Sequence, residues 1–173
     1  VQISGPDAAD FLNRMSTLDF KRWDASQTRL GAFLTGKSGV VTFGFFQSVG
    51  DGYHFIVPGS RVAPTLEHIE QFHFAEDMQG SDVSPQWTIL ACTRSHILMP
   101  PDCNAPSWVD PWLPNVRWFK VAKSEIPRLL AFWRDQGLDT LDDALLLYAH
   151  TAAGMPRVGV EIDSSVMLLE AGL

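Results

Sequence analysis

The clearest alternation of apolar runs and polar breaks lies between Leu30 and Val57, which reads LGAFLTGKSGVVTFGFFQSVGDGYHFIV. Three apolar runs, Leu30–Leu34, Val40–Val49 and Tyr53–Val57, are separated by Gly36-Lys37-Ser38-Gly39 and by Gly50-Asp51-Gly52. Runs rich in Val, Phe and Thr between such breaks predict antiparallel strands joined by tight hairpins, with glycine supplying the positive φ of the turns. The middle run contains Phe43-Gly44-Phe45-Phe46. A glycine inside a strand marks a bulge, or close approach by another backbone or a ligand.

The same reading extends along the chain. Val1–Ser4 ends a strand, and its abrupt start is expected to continue a longer chain. Gly5-Pro6-Asp7 opens a helix with the apolar face Ala8, Phe11, Leu12 and Met15. A second helix is predicted from Val62 to about Phe74, with Val62, Leu66, Ile69 and Phe72 as its stripe. Glu76 to Pro85 reads as a turn plus an edge strand, and Trp87–Cys92 as a strand of the first lobe. Five prolines between Met99 and Asn115 forbid a helix and disfavour a central strand. Val116–Val121 alternates like a strand. Ser124 and Pro127 suit the start of a helix that stops at Gly137. A last helix runs from Leu141 to about Ala153. This pattern predicts an α+β protein of ferredoxin-like kind, with antiparallel sheets and helices packed on one face. The expected organisation is a first lobe over 1–98, a Pro-rich linker over 99–115, and a second, incomplete lobe over 116–173.

Composition narrows the function classes. Of 173 residues 46% are hydrophobic and 19% charged, enough apolar material for a core. No run approaches the length of a membrane span, and no signal peptide is visible at the start. Net charge is −7 and the thirteen Lys and Arg are scattered, which argues against DNA and membrane partners. Cys92 and Cys103 fit neither a disulfide framework nor a zinc pattern, and predict reduced thiols in a cytoplasmic protein.

Candidate chemistry is sparse. His68 and His73 have no acidic or Cys residue at ligand spacing, and His54 and His96 are isolated. His150 is explained by the favourable placement of a cation near a helix C-terminus. No Gly-x-Ser-x-Gly is present. Gly36-Lys37-Ser38-Gly39 lacks the first glycine of a phosphate loop and joins two strands rather than a strand and a helix. The pairs Glu76-Asp77 and Asp142-Asp143 read as solvated charges, and Glu161/Asp163 falls in the last segment.

Several short motifs together resemble a known family. Ile3-Ser4-Gly5-Pro6-Asp7-Ala8-Ala9-Asp10-Phe11-Leu12, followed by Thr17-Leu18-Asp19, resembles the opening of the folate-binding YgfZ proteins and of their relative, the glycine-cleavage T protein (aminomethyltransferase). Gly39-Val40-Val41, Asp51-Gly52 and Phe55-Ile56-Val57 resemble the hairpins that follow. Ala153-Gly154-Met155-Pro156 and Glu170-Ala171-Gly172-Leu173 resemble a later segment. The proline-rich 93–114 departs from the family pattern.

The resemblance implies two ferredoxin-like α+β lobes around a folate pocket, with tetrahydrofolate as the cofactor. By position, Gly44 stands where the transferase has the aspartate that orients the folate nitrogen, with Phe43 before it. Ala152 stands where a glutamate pairs with the pterin ring, a task that needs a carboxylate. Phe45 and Val57 would be apolar pterin neighbours. With both acids missing, no catalytic residue is assigned, and an active aminomethyltransferase is the least favoured reading. The favoured expectation is a YgfZ-like accessory protein with an implied role in iron–sulfur protein maintenance and tRNA modification. It would bind the small molecule folate and leave a protein partner open. The alternative is a binding or structural module of the same fold that has lost folate. The family's Lys-Gly-Cys-Tyr-x-Gly-Gln-Glu signature would begin shortly after Leu173, so a fragment and a natural short form both stay open.

Overall fold

A computed structural model describes residues 1–94 and 97–171. Among them the chain forms two antiparallel sheets, of five and three strands, and four α-helices. It divides into two compact units. One comprises Val1–Val83 with the chain from Pro156 onward, the other Ser84–Met155.

The first unit contains β1 (Gln2–Ser4), α1 (Ala8–Met15), β2 (Thr28–Leu34), β3 (Val40–Val49), β4 (Gly52–Ile56), α2 (Val62–Phe72) and β5 (Gln79–Ser81). Its strands lie in the order β2-β3-β4-β1-β5, every neighbouring pair antiparallel. The two predicted hairpins form. The positive φ of the first turn falls on Ser38 (64°) rather than on a glycine, while Gly50 (57°) carries that of the second. The register pairs Phe46 with Phe55, so both project from one face. Their rings stack with centroids 3.9 Å apart, and the Phe33 ring meets them edge-on at 5.9 and 5.1 Å. Phe11 and Leu12 of α1 and Ile69 of α2 close over this face, and all six are buried. The predicted stripe of α1 is the surface it buries, whereas α2 buries Thr65 and His68 beside Ile69 and leaves Val62, Leu66 and Phe72 partly buried. The last segment returns to this unit, where the Val40 N–H donates to the Val166 carbonyl (3.0 Å) and Gly39 bridges Met167.

The second unit contains β6 (Trp87–Cys92), β7 (Ser107–Val109), β8 (Arg117–Ala122), α3 (Ile126–Asp135) and α4 (Asp143–Ala152). The strand order is β6-β8-β7. Two features differ from the sequence reading. β6, expected in the first lobe, pairs along its whole length with β8. The proline-rich stretch is not all loop. Ser107–Val109 lies between Pro106 and Pro111, and forms an edge strand against β8, the position at which neighbouring prolines are tolerated. Leu129 and Trp133 of α3 pack on Phe119, Val121 and Cys92. Gly137 (φ 72°) ends α3 as expected, with the Leu138 N–H donating back to the Trp133 carbonyl. α4 is capped by Asp142, whose carboxylate accepts from the Ala144 N–H at 3.0 Å.

Candidate functional site

Four of the five residues expected around a ligand lie in the first unit. β3 places Gly44 on the helix-covered face with Phe46, and Phe43 and Phe45 on the opposite face. Gly44 sits directly across from Gly31 of β2. The side chain of Leu18 covers Gly31, and a Cβ at Gly44 would overlap the Ile56 carbonyl oxygen and lie 3.0 Å from the Val57 side chain. The glycine is therefore a matter of packing: the β3 backbone approaches β4 too closely for any side chain. Val57 is thus a neighbour of Gly44 across the β3–β4 pair. Phe43 is 6% exposed. Ala152, the fifth candidate, is exposed near the end of α4, in the second unit. Within the first unit the structure brings Gly44 and Val57 together and turns Phe43 and Phe45 to the other face.

A small open cleft lies in the first unit, and none of the five expected residues lines it. Gly5, Pro6, Ala8 and Ala9 form one wall, and Ser48 with Gly50–Tyr53 the other. Its volume is about 290 Å³, at the lower limit of the roughly 300–1,000 Å³ usual for ligand sites. Asp51 and Tyr53 are its ionisable residues.

A dense polar arrangement was not legible in the sequence. Asp110, between β7 and β8, is 2% exposed. One carboxylate oxygen accepts from the backbone N–H groups of Trp112 (2.8 Å) and Leu113 (2.9 Å). The other accepts from the Trp118 indole N–H (2.8 Å) and lies 2.7 Å from His150 Nε2. Burial pushes the Asp110 carboxyl up, but the four hydrogen bonds, that of His150 foremost, outweigh it and hold the group below its ordinary value. The His150 ring stacks on Trp118 with centroids 5.8 Å apart and planes 7° from parallel. His150 is the one buried residue of α4, so this pair fastens α4 to the sheet. The signal available was Asp110-Pro111, a sequence that favours a side-chain-closed turn. The partner forty positions away carried none. An acid–imidazole pair orients a ring for proton transfer when a nucleophile stands on its far side. Among the described residues His150 meets Asp110 and Trp118, and the pair ties α4 to the sheet.

Other titratable groups are set by their packing and partners. Burial pushes the Lys120 ammonium down to about 8, and it sits 4.9 Å over the Trp87 ring. His68 is buried with its Nε2 unpartnered, its ring between Phe33 and Phe72 at 5.5 and 4.8 Å. Desolvation lowers its pKa. Glu76, read as a solvated charge, binds Arg14 of α1 and the N–H groups of Phe74 and Ala75, which hold its carboxyl at about 2. Glu161 pairs with Arg157 across one turn of chain. Among the described residues no cluster of three His, Cys, Asp or Glu could hold a metal, and no helix is long and apolar enough to cross a membrane. His96 and the Gly172-Leu173 end of the last resembling motif lie outside the described residues.

No protein-family model matches the chain, and neither does any curated protein sequence.

Proposed function

We propose that this chain is a non-transferase accessory protein of the YgfZ kind, built of ferredoxin-like α+β lobes, with tetrahydrofolate as its ligand. The observation that carries the non-transferase part is the closed backbone at Gly44. The resemblance puts the transferase's aspartate there, and a side chain at that position would overlap the Ile56 carbonyl. The order β1-α1-β2-β3-β4-α2-β5, with both helices over one face, supports the ferredoxin-like reading of the first unit. The role in iron–sulfur protein maintenance and tRNA modification, in the cytoplasm, rests on the motif resemblance alone.

A second reading, a binding or structural module of the same fold without folate, is favoured by a separate observation. Phe43 is buried and Ala152 offers no carboxylate, so the expected set presents no group to pair with the pterin N–H donors.

Titration of tetrahydrofolate against intrinsic tryptophan fluorescence decides between them. Folate binding predicts saturation in the micromolar range, roughly −8 kcal/mol. No saturation up to about millimolar, roughly −4 kcal/mol, would sink the folate reading and leave the module.

A further inference from the structure

The two helices of the first unit differ in what they bury. α1 buries Ala8, Phe11 and Leu12, none of which can take a charge. α2 buries Thr65, His68 and Ile69, and only the last is apolar. The Thr65 hydroxyl donates to the Arg61 carbonyl one turn back (2.6 Å). His68, 6% exposed, lies with its ring between Phe33 of β2 and Phe72 of α2. Its Nε2 is sealed from solvent without a partner. An imidazole thus stands where α1 has an aromatic hydrocarbon.

The groups around His68 give a charged ring no support. β3 and β5, which pack against α2, contain no ionisable residue. On β2, the Arg29 guanidinium lies over the Trp23 ring at 5.8 Å. Ahead of α2, Arg61 donates to the Val41 carbonyl. Glu67 and Glu70 of α2 itself are exposed. Just past the helix, His73 Nε2 lies 2.8 Å from the Glu76 carbonyl, and the Glu76 carboxylate binds Arg14. Among the described residues no carboxylate bonds to His68. A proton taken up in the packed state leaves a buried cation with no counter-charge, a state that exposure to water relieves. Both connections of α2 are held by contacts that leave His68 out, Arg61 to Val41 before it and Glu76 to Arg14 after it. Detaching the helix therefore does not require the rest of the unit to unfold.

We propose that α2 is an acid-released cover of the first unit: protonation of His68 frees it from β2 and β3 while α1 and the sheet keep their structure, which uncovers Phe33. The direction follows from linkage. Desolvation lowers the affinity of the packed ring for a proton, and the released ring has its ordinary value of 6.5, so release is favoured as pH falls below that value. This inference does not depend on folate binding, and its test uses no folate.

Hydrogen exchange of the intact chain at pH 7 and pH 5, corrected for the pH dependence of intrinsic exchange, reads it element by element. The amides of Leu66–Phe72 should lose protection several-fold at pH 5, and those of Leu12–Met15 should keep theirs. H68F retains a ring against Phe33 and Phe72 but cannot take a proton, and should hold α2 equally at both pH values. H68L serves the same purpose should the larger ring not fit, and circular dichroism at pH 7 checks that either variant is folded. H73Q removes the other imidazole near α2 and should leave the response intact. Unchanged α2 protection at pH 5, equal loss in α1 and α2, the same α2 response in H68F or H68L, or its disappearance in H73Q would each overturn the proposal.

Discussion

The two units hold their helices by different physics. In the first, α1 and α2 lie on Phe33, Phe46 and Phe55, and the attachment is apolar area with little directionality. In the second, α3 follows the same rule on Phe119 and Val121, but α4 is fastened through one buried carboxylate with four hydrogen bonds. Apolar attachment spreads its energy over many residues and tolerates adjustment. The Asp110 tether concentrates it in one group, whose loss strands four donors at once.

The largest test of that contrast is Asp110→Ala. Removing one member of a buried pair should cost about 3–5 kcal/mol in urea unfolding, with amide protection lost first in α4. A loss below about 1 kcal/mol would show that water takes over the four bonds and that the tether is not concentrated at Asp110. Gly44→Ala probes the apolar side. Overlap with the Ile56 carbonyl should cost about 1–3 kcal/mol. Gly36→Ala, where nothing lies within 4 Å, should stay within about 0.5 kcal/mol. Equal effects at the two glycines would mean that β3 and β4 can separate. The smallest effect concerns His68. Its folded pKa is lowered, so below the ordinary imidazole value of 6.5 the unfolded chain takes up a proton that the folded core refuses. Stability is therefore full above that value and falls as pH drops beneath it. The urea midpoint should fall between pH 7 and pH 5, about the range in which imidazole titrates, and His68→Leu should reduce that fall.

What the sequence disclosed follows the same division. The period of Phe11, Leu12 and Met15, the stripe of Val62, Leu66 and Ile69, and the glycine-broken runs of β2 to β4 each report apolar burial, which repeats along the chain and is readable one element at a time. β6 was legible as a strand, but its partner was not, because alternation says which face is buried and nothing about which strand lies alongside. β7 was hidden by its flanking prolines. Gly44 stood out as a glycine inside a strand, a sign of close approach by a backbone or a ligand, and the structure sets the Ile56 carbonyl against it. The Asp110–His150 pair was invisible because a directional contact between distant positions leaves no period. Ala152 was singled out by resemblance, and it stands exposed at the end of α4.

The chain leaves the first unit after Val83 and re-enters it at Pro156, where Val166 and Met167 join the edge at Gly39 and Val40. Ser84–Met155 is thus an insertion with both ends anchored in one host. The entropy of closing such a loop rises only logarithmically with its length, by about 0.6 kcal/mol for a doubling. A graft of flexible residues beside Thr140, exposed between α3 and α4, would lengthen the closed loop at almost no thermodynamic cost. The junction at Val83 tolerates far less, because that side chain is buried.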